Sequence, residues 1–131
     1  MPTATKAAVP KPGAAAAAWY KGGGKELITT LTADINGVKT DDRAHDSSSM
    51  QTDCIQISAD ITPAQGNPPL PDAIAQRDWT AALASLHSGF WDCNGGYSDS
   101  KTSEIRKGAT EIEAAGPYLA AVKQRIATIT G

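Results

Sequence analysis

Long apolar runs are missing from this 131-residue chain. No stretch approaches the roughly 20 apolar residues that a membrane-spanning helix needs, and no charged segment followed by an apolar core marks a signal peptide. The expectation is a protein with no transmembrane segment in this chain, either cytosolic or separated from its targeting segment. Charge of one sign is missing too: 12 Lys and Arg against 14 Asp and Glu leave a formal net charge of −2, with the basic residues scattered. That disfavours nucleic acid as a partner, because a nucleic-acid interface needs a basic footprint. Histidine is limited to His45 and His87, with no His pair four residues apart and no Glu-x-x-His unit, so metal ligands and cofactors are expected to be none. The haem-attachment pattern Cys-x-x-Cys-His is absent as well.

What is present is helical periodicity. Residues 1–18 are mostly Ala, Pro, Thr and Lys, with prolines at 2, 10 and 12 that prevent a regular helix before about Gly13. They read as an Ala/Pro-rich flexible tail or stalk ahead of a single helical domain over residues 19–131, although the run from Ala14 to Ala18 has the composition to extend the first helix backwards. Leu27, Ile28, Leu31, Ile35 and Val38 recur at three- and four-residue spacing and predict a first helix that ends between Asn36-Gly37 and the Thr40-Asp41-Asp42 turn. Trp19 lies two turns earlier on the same stripe. If the helix starts there, Gly22, Gly23 and Gly24 sit inside it and are expected to admit a neighbouring helix. Ser48 and Gln51 suggest a capping box for a second helix carrying Met50, Cys54, Ile57 and Ile61, which Pro63 and Gly66-Asn67-Pro68-Pro69 then stop.

A third helix capped by Asp72 carries Ala75, Trp79, Ala82, Leu86, Phe90 and Cys93, with Asn94-Gly95-Gly96 as its expected end. The fourth opens near Asp99 or Ser100 and holds its stripe through Ile105, Ala109, Ile112, Gly116, Leu119, Val122, Ile126 and Ile129, with a kink or break expected at Ala115-Gly116 ahead of Pro117. No segment alternates with a period of two. The fold class is therefore all-α, an up-down-up-down four-helix bundle joined by connections of roughly 5 to 11 residues.

Cys54 and Cys93 each fall on the apolar stripe of a different helix. In an antiparallel pair the early part of the second helix lies beside the end of the third, which is where the two cysteines stand. One interhelical disulfide is the expectation, and it implies an extracytoplasmic, secreted or membrane-anchored location. Two buried thiols acting as small hydrophobes are the alternative.

The order Trp19, Gly23-Gly24, Leu27, Leu31, Cys54, Pro69-Leu70-Pro71-Asp72, Trp79, Ala82-Leu83 and Cys93 resembles a group of small uncharacterised secreted or lipid-anchored actinobacterial proteins. The likeness covers residue 19 to about residue 93 and carries no catalytic signature. It implies an extracytoplasmic helical domain with a disulfide, often behind a membrane anchor in the cell envelope.

Reactive constellations are weak throughout. Lys21-Gly22-Gly23-Gly24-Lys25 fails the phosphate-loop pattern, because Trp19 stands where a glycine is required and Glu26 where Ser or Thr is. Asp41, Asp42 and Asp46 lack the order of a calcium loop and read as a solvated acidic turn. Glu111 and Glu113 point in different directions on a helix and form no acid/base pair. The leading reading is a non-enzymatic module that contacts a protein or a cell-envelope component. Trp19, Tyr20, Trp91 and Tyr97 are the surface-contact candidates. The alternative is a carrier of a small ligand (haem, a metal or an apolar molecule) inside the bundle, oriented by His87 or a tyrosine.

Overall fold

The apolar stripes close into one antiparallel bundle in a computed structural model that describes residues 13–130. The elements are α1 (Ala14–Trp19), a π-helical turn (Tyr20–Gly24), α2 (Lys25–Ala44), α3 (Ser47–Gly66), α4 (Ala73–Asp99) and α5 (Thr102–Thr130). α1, the π turn and α2 together form the first of four helical rods, and there is no strand among the described residues. The stalk assignment for residues 1–12 lies outside the described residues. Ala14 to Ala18 are helical and Ala16 is fully buried, so residues 14–18 belong to the folded body and not to a tail. Gly13 takes a positive φ of 105° against the carbonyl of Ile129, which fixes the start of α1 beside the end of α5.

Burial follows the periodicity. Ile28, Leu31, Ile35 and Val38 of α2 meet Met50, Cys54, Ile57 and Ile61 of α3, and these face Trp79, Ala82, Leu86 and Cys93 of α4 and Ala109, Ile112, Leu119, Val122 and Ile126 of α5. No polar or charged residue is buried in this core. The Cys54–Cys93 disulfide joins the second turn of α3 to α4, with the α-carbons 6.3 Å apart. Both cysteines are fully buried, so the staple sits inside the core.

The helix ends differ from the sequence expectation in three places. α2 runs on to Ala44 and turns into α3 through only His45 and Asp46, with His45 in the left-handed region at φ 53°. The α3 cap is Asp46, which accepts from the Ser49 amide at 3.1 Å and the Ser49 hydroxyl at 2.8 Å, in place of the expected Ser48–Gln51 box. α4 passes through Asn94-Gly95-Gly96 and ends at Asp99, with Ser100 in the left-handed region at φ 56°. Gly96 stays helical because α5 lies directly on it: a β-carbon there would stand 2.7 Å from the Ile105 backbone nitrogen. Asp72 caps α4 as expected, accepting from the Ala75 amide at 2.9 Å.

Both internal prolines are tolerated. α3 continues past Pro63 to Gly66, and α5 passes Ala115, Gly116 and Pro117 without a break. Each proline is exposed, and the residues four positions earlier, Ala59 and Glu113, whose carbonyls lose a donor, are exposed and partly exposed. Those orphaned acceptors can be hydrated, so the missing N–H costs less than it would in the core.

The glycine triplet does not serve a helix–helix contact. Gly23 at φ 131° breaks the first rod, and Gly24 lies under the Trp19 ring, where a side chain would collide. The close approach occurs between α4 and α5. A β-carbon on Gly108 would stand 2.6 Å from the Gly89 carbonyl and 2.8 Å from Cys93 Cβ, so these two backbones touch beside the disulfide.

Candidate interaction surface

Four side chains were nominated as surface contacts, and the fold treats each differently. Trp19 is only 8% exposed. Its indole N–H donates to the Pro68 carbonyl at 2.8 Å, and its ring meets Trp79 edge to face at 5.3 Å. It keeps to the apolar stripe it shares with Leu27 and packs on the linker between α3 and α4, so it is a core anchor and not a surface contact. Tyr97 is half-buried, and its hydroxyl donates to the Ser47 carbonyl, which ties the end of α4 to the start of α3. Tyr20 is half-buried against the core and lines an open cleft with Lys21, Lys123 and Ile126. Trp91 stands out at 69% exposure.

Trp91 is exposed because it is one residue beyond Phe90, which packs on the core; a step of about 100° along a helix carries the next side chain to the outer face. It borders a cleft of about 360 Å³ between α4 and α5 that His87, Ser88, Asp92, Lys107 and Glu111 complete. Lys107 reaches Asp92 at 3.7 Å and Glu111 at 4.0 Å, so one cation serves two carboxylates. Glu111 is pushed up from the ordinary glutamate value by burial and then by the neighbouring Asp92, and one of its oxygens is buried without a hydrogen-bond partner. The cleft thus combines a large aromatic face with carboxyl groups held close together.

No match to this chain is found among protein-family models, curated proteins or solved structures. The functional reading therefore rests on the chain's own geometry.

His87 does not point into the bundle. It is exposed on α4, its ring lies edge to face with Phe90 at 5.1 Å, and it stands on the rim of the Trp91 cleft and of a wider cleft of about 540 Å³ beside Trp79 and Leu83. Both clefts are open to solvent, whereas the carrier reading placed its ligand inside the bundle. Among the described residues no group of three or more His, Cys, Asp or Glu is placed to hold a metal, and no helix is long and apolar enough to cross a membrane.

Periodicity did not reveal the pairing of acids between helices. Asp41 belongs to the last turns of α2 and faces Asp53 of α3, and Asp42 faces Glu113 of α5. The expected solvated turn is therefore replaced by interhelical carboxyl pairs, and only Asp46 acts as a turn residue. Glu111 and Glu113 do diverge, the first toward Asp92 of α4 and the second toward Asp42 of α2. The signal that could have found the pairs is the seven-residue spacing of Asp34 and Asp41 on one helix and of Asp53 and Asp60 on the next.

Proposed function

We propose that this protein is a non-enzymatic, extracytoplasmic helical module that docks a protein partner through the Trp91 face of α4 and α5. The single observation that carries the reading is the exposure of Trp91 at 69% beside the acidic cleft. A bare tryptophan on a stapled helix is an economical anchor, because it offers large contact area with little conformational entropy to lose, and tryptophan is enriched among the residues that dominate binding energy. Asp92 and Glu111 beside the ring suit a basic side chain of the partner stacked on the indole. The buried disulfide supports an oxidising location, since such bonds persist mainly outside the cytosol. The reading also keeps the likeness to secreted actinobacterial proteins as its expected setting at the cell envelope.

The test is affinity capture from the envelope and secreted fractions of the source organism, with wild type compared against Trp91→Ala and against Ile74→Ala, another exposed apolar residue. A partner held by wild type and Ile74→Ala, and lost by at least about tenfold with Trp91→Ala, is expected for an anchor worth about 1.4 kcal/mol or more. Equal capture by the folded Trp91→Ala protein would remove the proposal.

A further inference from the structure

The α2–α3 interface carries acids in matched register. On α2, Asp34 and Asp41 are seven residues apart; on α3, Asp53 and Asp60 are too. Because the helices run antiparallel, Asp34 meets Asp60 and Asp41 meets Asp53, giving two carboxyl rungs about two helical turns apart. Gly37 lies between the two α2 acids, and a β-carbon there would stand 3.1 Å from Asp53 Oδ2, so the missing side chain leaves room for the carboxyl group. One oxygen of Asp34 and one of Asp41 are buried without any hydrogen-bond donor. None of the four acids takes part in a salt bridge among the described residues.

Among the described residues the charged neighbours of Asp34 and Asp41 are acidic. From α3, Gln56 donates to Asp60 at 3.1 Å, and from the turn Asp46 adds negative charge near Asp41. α5, packed on α2, presents Glu113, whose charged neighbours are Asp42, Lys39 and Arg43. α4, packed on α3, turns Asp92 toward Lys107 and Glu111 on its far side. Gln56 serves only Asp60, so Asp34 and Asp41 each keep a buried oxygen without a donor, and a single proton shared within each pair both supplies that donor and removes the like-charge repulsion.

We propose that the α2–α3 seam is a proton-locked joint, in which Asp34–Asp60 and Asp41–Asp53 each hold one shared proton and the seam opens to water when those protons leave. Burial, then the hydrogen bond to Asp60, pushes Asp34 up to about 8; the hydrogen bond to Asp53, then burial, pushes Asp41 up to about 6. The native state therefore binds more protons than the unfolded chain across this range, so stability falls as pH rises. The contribution is complete below the ordinary aspartate value and fades from there upward, the share of Asp41 being gone above about 6 and that of Asp34 above about 8. Asp46 and Asp72 act in the opposite sense: both are held below the ordinary value, Asp46 by its bonds to Ser49 and Asp72 by Arg125 and its helix cap, and their stabilisation is lost only in acid. The joint is tightest in mild acid and loosest in mild alkali. With α3 held to α4 by the disulfide, the first rod is the part free to move.

Thermal melts of the full chain in EDTA, from pH 5 to pH 8.5, test this. Wild type should lose about 5 °C or more of Tm over that range, whereas Asp34→Asn with Asp41→Asn, which places amide donors against Asp60 and Asp53, should stay level. A wild-type Tm that is flat or rising, or an equal fall in the folded double variant, overturns the proposal. Carboxyl-carbon NMR titration of wild type gives a second reading that needs no variant. Midpoints for Asp34 and Asp41 well above 4 are expected, and ordinary aspartate midpoints for both overturn it.

Discussion

Reducing the Cys54–Cys93 bond perturbs this bundle without changing any other atom of its core. The bridge closes a loop of sequence separation 39. In the chain-entropy description, a loop of that size restricts the unfolded ensemble by about 4 kcal/mol at 25 °C. Domains of this size are stable by about 5–15 kcal/mol in all, so the loss is a large share of the total and corresponds to a Tm lower by about 15 °C. Both cysteines are fully buried, so reductant reaches them slowly in the folded protein. The assay therefore reduces in denaturant, refolds under reductant, and compares urea transitions of the two forms after mass spectrometry has confirmed both thiols free. The reduced form should unfold at lower urea and with a steeper dependence, because its unfolded chain exposes more surface. A stability difference below about 1 kcal/mol would refute the reasoning: it would mean that the unfolded chain already keeps α3 and α4 together without the bond.

Two further substitutions separate packing from propensity. Gly108→Ala places a β-carbon 2.6 Å from the Gly89 carbonyl, which cannot rotate away, so α4 and α5 must part; a net loss of about 1–3 kcal/mol in urea unfolding is expected despite the gain in helix propensity, whereas Gly95→Ala meets nothing within 4 Å and should stabilise by about 0.5–1 kcal/mol. Trp19→Phe keeps the ring against Trp79 but removes the hydrogen bond to the Pro68 carbonyl; a loss of about 1 kcal/mol with unchanged partner capture is expected, and a loss of capture would return Trp19 to the binding surface.

The sequence showed the core more plainly than the ends of its helices. Ile28 through Val38, Met50 through Ile61 and Leu119 through Ile126 were visible because burial on one face imposes a period near 3.6, and the cysteines shared that face. Gly95-Gly96 misled because a glycine pair signals a stop only when nothing covers it, and here α5 covers Gly96. Pro63 and Pro117 misled for the opposite reason: exposure lets water take the carbonyl they orphan. Trp91 was legible as an off-stripe residue. Trp19 was legible as a stripe residue but its partners were not, because the carbonyl of Pro68 and the ring of Trp79 are 49 and 60 residues away. The carboxyl rungs were hidden because a charged residue every seventh position resembles a solvated face until the neighbouring helix is known to carry the same spacing.

Gly13 resting on Ile129 brings the two ends of the described chain to one pole of the bundle, while the tight turns at His45-Asp46 and Ser100-Lys101 close the other. Any polypeptide leading into residue 13 and any leading out of residue 130 would leave side by side, like the two cords of a pendant. A tether at either end would then bear on α1 and the last turn of α5, and load would cross from one to the other without passing through the stapled α3–α4 pair.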